Sequence, residues 1–228
     1  MSRPLRICLP SLVYHVLNRG NNRQAVFLEN KDYSHYLNIL AKYKEKLGFK
    51  IFAYCLMTNH VHLLIKTSDQ GTISQIIKAV TIAHTMRYHY QYHTSGHVWQ
   101  GRFKSPIVSD DEYLLTLMRY IEQNPVRAGM VDHPEKYPFS SYQDNIKAQN
   151  PSLIDREDNP VFLSLGPTHL ERIQRYKDFA CAHLEEDKLK LIRHSLGGSS
   201  HYASEKFLQE KQIELKLSQK RRRGRPRN

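Results

Sequence analysis

The sequence predicts an α+β fold, an antiparallel sheet carrying helices, and three observations in its first 145 residues support this. Hydrophobic spacing there switches repeatedly between a period of 2 and a period of 3.6, which marks mixed strands and helices. Two short apolar runs, 51–57 and 61–66, are parted only by Thr58, Asn59 and His60, so they read as adjacent antiparallel strands joined by a tight turn. Long amphipathic patterns with start and stop signals stand between the other strand-like runs, and a layered unit of about 130 residues fits their sum.

Taken in order, residues 12–18 (LVYHVLN) read as a strand ending at Arg19-Gly20. Lys31 to Leu47 reads as a helix with Tyr36, Ile39, Leu40 and Tyr43 on one face and Gly48 as its stop. After the hairpin, Thr72 to about His93 forms a second long helix, and 98–108 (VWQGRFKSPIV) another strand. Asp110, backed by Asp111 and Glu112, starts a helix that runs to Asn124-Pro125, since proline disfavours helical backbone in the residue before it.

The remainder is different in kind. Residues 146–167 include the polar stretch NPSLIDREDNP and read as a linker. Residues 168–219 read as a small helical unit: Thr168 with Glu171 has capping-box spacing, a shorter helix ends at Gly197-Gly198, and Ser199 or Ser200 can cap a third through KFLQEKQIELKL. Helix, glycine turn, helix is compatible with a helix-turn-helix, and equally with an ordinary bundle. Residues 220–228, KRRRGRPRN, cannot bury apolar surface and are expected to be disordered until they meet an anion.

Charge follows the same division. Of 228 residues with a formal net charge of +12, positions 1–145 hold 17 basic and 11 acidic side chains, 146–219 hold 11 of each, and the last nine hold six basic and none acidic. Such clustering points to a polyphosphate partner. Cys8, Cys55 and Cys181 are odd in number and widely spaced, which argues against a disulfide scaffold or a cysteine-type zinc site. No apolar run reaches the ~18 residues that cross a bilayer, and the first residues lack a signal-peptide pattern, so a cytoplasmic protein without membrane contact is expected.

Two constellations carry chemistry. On a strand His60 and His62 point to one face, so both imidazoles can meet one cation. Tyr120 and Asn124 stand at i and i+4 near a helix end and share a face. Either pair has a bland reading, a polar turn for the histidines, and a core aromatic with a polar stop for the others. Together they offer two imidazoles, an amide oxygen and a phenol. A noncatalytic DNA-binding protein is the rival reading, and a hydrolytic zinc enzyme is disfavoured because no Glu or Asp lies at a familiar spacing from the histidines.

The series YHVLNRGNNR, CLMTNHVHLLI, VWQGRFKS and YIEQNPVRAGMV, spread from Tyr14 to Val131, resembles the single-tyrosine transposases of the HUH (His-hydrophobic-His) nucleases, and among them the REP-associated tyrosine transposases. The resemblance implies a ferredoxin- or RNA-recognition-like sheet bearing the His pair, with the nucleophilic tyrosine on a helix. It carries His60, His62 and Asn124 over as ligands of a divalent cation, Mg²⁺ or Mn²⁺, and Tyr120 as the nucleophile that forms a 5′-phosphotyrosine with single-stranded or hairpin-flanked DNA. Relatives of this kind are monomers or homodimers. Thr58 stands where similar proteins often have Pro, and Asn124 where many have Gln. Tyr113 is a competing nucleophile, with only Leu117 four positions on.

This chemistry suits the residues. A mixed N/O ligand set fits Mg²⁺ or Mn²⁺, and because only neutral imidazole ligates, activity is expected to fall below about pH 6. A phenol, with a reference pKa of about 10, is a fair leaving group, so a 3′-hydroxyl can reverse the link without ATP. Arg19, Arg102 and Lys104 lie beside strand ends and suit phosphates, and Trp99 suits a base or a core. His89 and His93, at i and i+4, offer a second metal pair or a polar helix face. In the tail, Arg222, Arg223, Arg225 and Arg227 surround a Gly-Arg-Pro step similar to the core of an AT-hook, which lays arginines into a narrow minor groove.

Overall fold

A computed structural model of the protein describes residues 8–109, 111–147, 152–197, 206–207 and 209–211. Its sheet has four strands, β1 (Val13–Arg19), β2 (Lys50–Met57), β3 (His60–Lys66) and β4 (Ile107–Val108), in the order β2-β3-β1-β4. Helices α1 (Asn30–Leu47) and α2 (Ile73–Tyr92) connect them as βαββαβ, and every pairing is antiparallel. This is the ferredoxin-like topology that the resemblance implies.

Side-chain alternation divides the sheet into two faces. From β3, Val61, Leu63 and Ile65 join a buried cluster with Tyr36 and Leu40 of α1 and Ile76 and Val80 of α2. Leu64 points the other way, into a cluster with Leu117, Met118 and Ile121 of α3 (Asp111–Glu122). Each such aliphatic side chain, fully buried, contributes about 1.5–3 kcal/mol relative to exposure. His60 and His62 share the α3 face with Leu64.

The helix signals act as their chemistry requires. Glu29 and Asp32 form a reciprocal capping box at the start of α1, and Gly48 ends it in the left-handed conformation at φ 62°. Thr72 and Gln75 cap α2 in the same way. Asp110, expected to start α3, lies outside the described residues.

The expected strand over 98–108 is regular only at Ile107–Val108. The segment before it still follows β1, through single bridges Leu17↔Lys104 and Gly20↔Trp99. Two residues break the ladder: Gly101 turns with φ +58°, and Pro106 has no N–H to donate, although its carbonyl accepts from His15 N at 3.0 Å. An irregular edge results.

The chain after α3 packs mainly onto the α3 face, with Leu153, Ile154 and Asp155 reaching the α1 side of the sheet. Within the expected linker, Asp155 accepts from Ile51 N and from the Lys44 ammonium, both at 2.8 Å, and α6 (Pro160–Leu163) buries Phe162. Helix α5 (Tyr142–Ile146), α7 (His169–Cys181), begun by the Thr168–Glu171 capping box, and α8 (Glu186–Leu196) add Tyr142, Tyr176 and Ile192 to the same cluster as Leu117. Apart from residues 206–207 and 209–211, the third expected helix and the tail 220–228 lie outside the described residues. Among the described residues no helix is long and apolar enough to cross a membrane.

Candidate active site

The β2–β3 hairpin turns at Thr58-Asn59, with Met57 opposite His60. Neither turn residue is among the described residues of positive φ, although two-residue hairpins favour such backbone. The turn is held from outside: Thr58 O accepts from Val26 N at 2.9 Å and Asn59 O from Gly20 N at 2.8 Å. Only glycine fits at position 20, where the chain folds back on itself and a Cβ would lie 2.2 Å from Gln24 O.

The turn orients the first imidazole. Asn59 Nδ2 donates to Arg23 O at 3.1 Å, which directs Asn59 Oδ1 to His60 Nδ1 at 2.7 Å. An amide oxygen only accepts, so His60 carries its proton on Nδ1 and keeps a lone pair on Nε2. His62 is buried, with Nδ1 3.0 Å from Nε2 of His15, a fully buried histidine on β1. Burial, with Arg19 adding to it, lowers the His60 pKa to about 4; burial, with neighbouring His15 and His60 adding to it, puts His62 well below its ordinary value. Both rings are therefore neutral at pH 7, the form a metal ligand needs, and they stay neutral at a lower pH than ordinary imidazoles do.

Helix α3 brings the phenol to them. The ring centroids of His62 and Tyr120 are 5.7 Å apart, edge to face. Pro125 shapes the turn that comes after Tyr120. The chain does not stop at Asn124-Pro125 but re-forms as a short helix, α4 (Asn124–Arg127), with the proline in its first turn, where its missing N–H is harmless. The break deprives the carbonyls at the end of α3 of helical partners. Asn124 Nδ2 caps two of them, Tyr120 O at 2.9 Å and Ile121 O at 3.2 Å. With its NH₂ so engaged, Asn124 has its Oδ1 for another partner.

Arg127 completes this turn. Its Nη2 donates to Tyr120 O at 2.6 Å, and its Cζ lies 4.3 Å from the centroid of the Tyr120 ring. The guanidinium is largely buried, and burial lowers its pKa.

His60, His62, Tyr120 and Asn124 line one pocket of about 510 Å³. The sheet supplies Arg19, His60 and His62, the helix side Tyr120 and Asn124, and the irregular edge Gln100, Arg102 and Lys104. The edge residues keep strand alternation, so three polar side chains two apart face the pocket while Trp99 and Phe103 pack against the α1/α2 cluster. Trp99 sits beside Tyr36 and His84, with 5.5 Å between the Trp99 and His84 centroids, and is a core aromatic. Arg193, Leu196 and Gly197, from α8 and its end, form another wall.

Other sequence candidates fall elsewhere. Both ring nitrogens of His89 are engaged, by Thr94 Oγ1 at 3.0 Å and Gly96 O at 3.1 Å, so His89 fastens the end of α2 as a polar helix face. Tyr113 lies two turns before Tyr120 and is not among the residues lining the pocket. Arg222, Arg223, Arg225 and Arg227 lie outside the described residues. Sequence reasoning missed His15, Arg127 and Arg193. Alternation along β1 places His15 on the face shared with Leu17, and Arg127 lies seven positions from Tyr120, a double helical turn, but neither spacing names its partner.

Beneath this pocket lies a second polar centre. Glu122 is fully buried on α3 and accepts from Ser141 Oγ at 2.6 Å, Asn145 Nδ2 at 2.7 Å and Tyr176 OH at 2.6 Å. Burial raises its pKa to about 7, against the pull of these three donors toward the ionised form. It ties α3 to α5 and α7.

Known proteins resemble this chain in sequence and in fold. Over 116 residues the chain is 28% identical to a Haemophilus influenzae protein described as a REP-associated tyrosine transposase, a match that takes in 46% of this chain and 65% of that relative's length. A solved REP-associated tyrosine transposase bound to a REP hairpin shares the fold, with a TM-score of 0.55 at 19% identity, over 68% of this chain and 94% of that one. Residues 8–124, which hold the sheet, both histidines, Tyr120 and Asn124, match the family of IS200-like transposases, and the chain belongs to that family.

Proposed function

We propose that this transposase cuts and rejoins single-stranded, hairpin-flanked DNA through a covalent bond between Tyr120 and a 5′ phosphate. The observation that carries the reading is the meeting of Tyr120, His60, His62 and Asn124 in one pocket rimmed by Arg19, Arg102 and Lys104. The REP hairpin held by the structurally similar transposase supports the choice of substrate.

The donor set fits a divalent cation: Nε2 of His60, Nε2 of His62 and Oδ1 of Asn124 would hold Mg²⁺ or Mn²⁺. When bound, such a cation supplies charge neutralisation at the scissile phosphate. The rest falls to the chain. The cations at the rim draw the backbone in and fix its direction. The Tyr120 oxygen attacks phosphorus, its O–P bond forming as the bond from phosphorus to the 3′ oxygen breaks. The phenol gives up its proton and the departing 3′ oxygen gains one. Arg127, against the ring and bonded to the Tyr120 carbonyl, holds the phenol in position for attack and release. A 3′-hydroxyl attacking the phosphotyrosine reverses the sequence and rejoins the strand. On sequence alone, Arg222, Arg223, Arg225 and Arg227 add a second, salt-sensitive hold on DNA.

The test is incubation of the protein with end-labelled single-stranded oligonucleotides, with and without a hairpin, in Mn²⁺. A covalent adduct is expected from the unaltered protein and none from Tyr120→Phe. An adduct that survives Tyr120→Phe sinks the assignment, and loss with Tyr113→Phe alone moves the nucleophile. Tight hairpin binding with no adduct from the unaltered protein identifies a noncatalytic binder.

A further inference from the structure

His15 touches both halves of the site. Its ring meets that of His62 edge to edge, with centroids 5.2 Å apart and planes 27° from parallel, and meets the Tyr120 ring edge to face at 6.0 Å. The sheet register brings this about: Leu17 is opposite His62 and His15 opposite Leu64, so His15 is the diagonal neighbour of His62 on the α3 face, within reach of a long ring.

Two neutral imidazoles in contact can have only one proton between the facing nitrogens. If His62 donates from Nδ1, its Nε2 has the lone pair that a cation needs. If His15 donates instead, a neutral His62 must carry its proton on Nε2 and cannot ligate there. His60 has no such choice, because its partner, Asn59 Oδ1, only accepts. The two ligands are thus supported unequally, one by an acceptor and one by a ring that can act either way.

We propose that His15 is a positioning residue for the cation, accepting the Nδ1 proton of His62 at its own Nε2 and so holding His62 in the tautomer that ligates. The proposal rests on the reading of His60, His62 and Asn124 as ligands. Occupancy of the site then depends on the direction of one buried hydrogen bond.

The experiment titrates Mn²⁺ into the full chain by calorimetry, comparing the unaltered protein with His15→Phe, which keeps a ring but cannot accept, and His15→Gln, whose Oε1 can. Outer-shell partners of metal-bound histidines are typically worth about 10- to 100-fold in affinity. A loss of that size is expected for His15→Phe, with recovery to within a few-fold in His15→Gln. Equal Mn²⁺ affinity in the unaltered protein and His15→Phe overturns the role of His15 and leaves the ligand set standing. If the unaltered protein binds no Mn²⁺, or His60→Ala binds it as well, the ligand reading itself fails. If His15→Phe does not fold, ¹⁵N spectra of the histidines in the unaltered, metal-free protein decide: His62 protonated on Nδ1 upholds the inference, and His62 protonated on Nε2 overturns it.

Discussion

The two faces of the sheet are built on opposite rules. Toward α1 and α2, β3 sends Val61, Leu63 and Ile65 into an apolar cluster. Toward α3, the same strand sends His60, His62 and Leu64, and the layer above them holds Tyr120, Arg127 and Glu122. A buried polar group costs free energy unless it is paired, so the second face includes a hydrogen-bonded partner at almost every functional position. One face supplies cohesion and the other spends some of it on chemistry.

The sharpest way to break that comparison is to alter each face in turn. Tyr120→Phe, which removes one oxygen from the α3 face, is expected to abolish the covalent adduct while leaving the thermal midpoint nearly unchanged. A large loss of stability would mean that the phenol is structural. On the other face, Leu63→Ala should lower the unfolding free energy by about 2–5 kcal/mol, as large-to-small core changes do. Denaturant titration measures that loss, and adduct yield per folded molecule should stay as in the unaltered protein. A fall in yield would show that the faces are not separable.

Glu122 offers a graded test. Folded, it holds its proton up to about pH 7, against a reference value of 4.5. Between those values the folded state binds more protons than the unfolded one, so this carboxyl makes the protein less stable as pH rises. His15 and His84 act in the opposite sense: burial lowers them to about 3 and about 4 from 6.5, so below 6.5 the unfolded state takes up their protons and stability falls with acid. Two imidazoles outweigh one carboxyl there, and the unaltered protein should lose stability as pH drops. Comparison with Glu122→Gln cancels the histidines. The stability of the Glu122→Gln variant relative to the unaltered protein should grow by about 1.4 kcal/mol for each pH unit from 4.5 to 7, and a flat difference would show that Glu122 titrates normally.

Smaller effects sharpen the picture further. Tyr176→Phe removes one of three donors to Glu122 and should cost about 1–3 kcal/mol at pH 8, read from chemical denaturation. Arg102→Ala should reduce the slope of log affinity against log salt for single-stranded DNA by about 0.7, the value of one phosphate contact. An unchanged slope would remove Arg102 from the DNA path.

The sequence exposed the parts of this design that obey a local period. The hairpin, the shared face of His60 and His62, and the single turn from Tyr120 to Asn124 all follow from spacing. Hidden were the relations that depend on register or on distant packing. His15 meets His62 only because β1 pairs β3 with Leu17 opposite His62. Glu122 reads as an ordinary acid near a helix end, since its donors come from α5 and α7. Arg193 reaches the pocket from a helix more than sixty residues beyond Asn124. The edge before β4 looked like a strand because its apolar pattern is one, and Gly101 and Pro106 spoil the hydrogen bonding without disturbing the pattern.

Pro125 has a mechanical consequence. By breaking the helix it turns the Asn124 side chain and Arg127 back onto the Tyr120 carbonyl, so phenol, amide and guanidinium belong to one hydrogen-bonded block. The imidazoles belong to a different block, the sheet. Five side chains thus belong to two bodies, and the position of α3 across β3 sets how they meet.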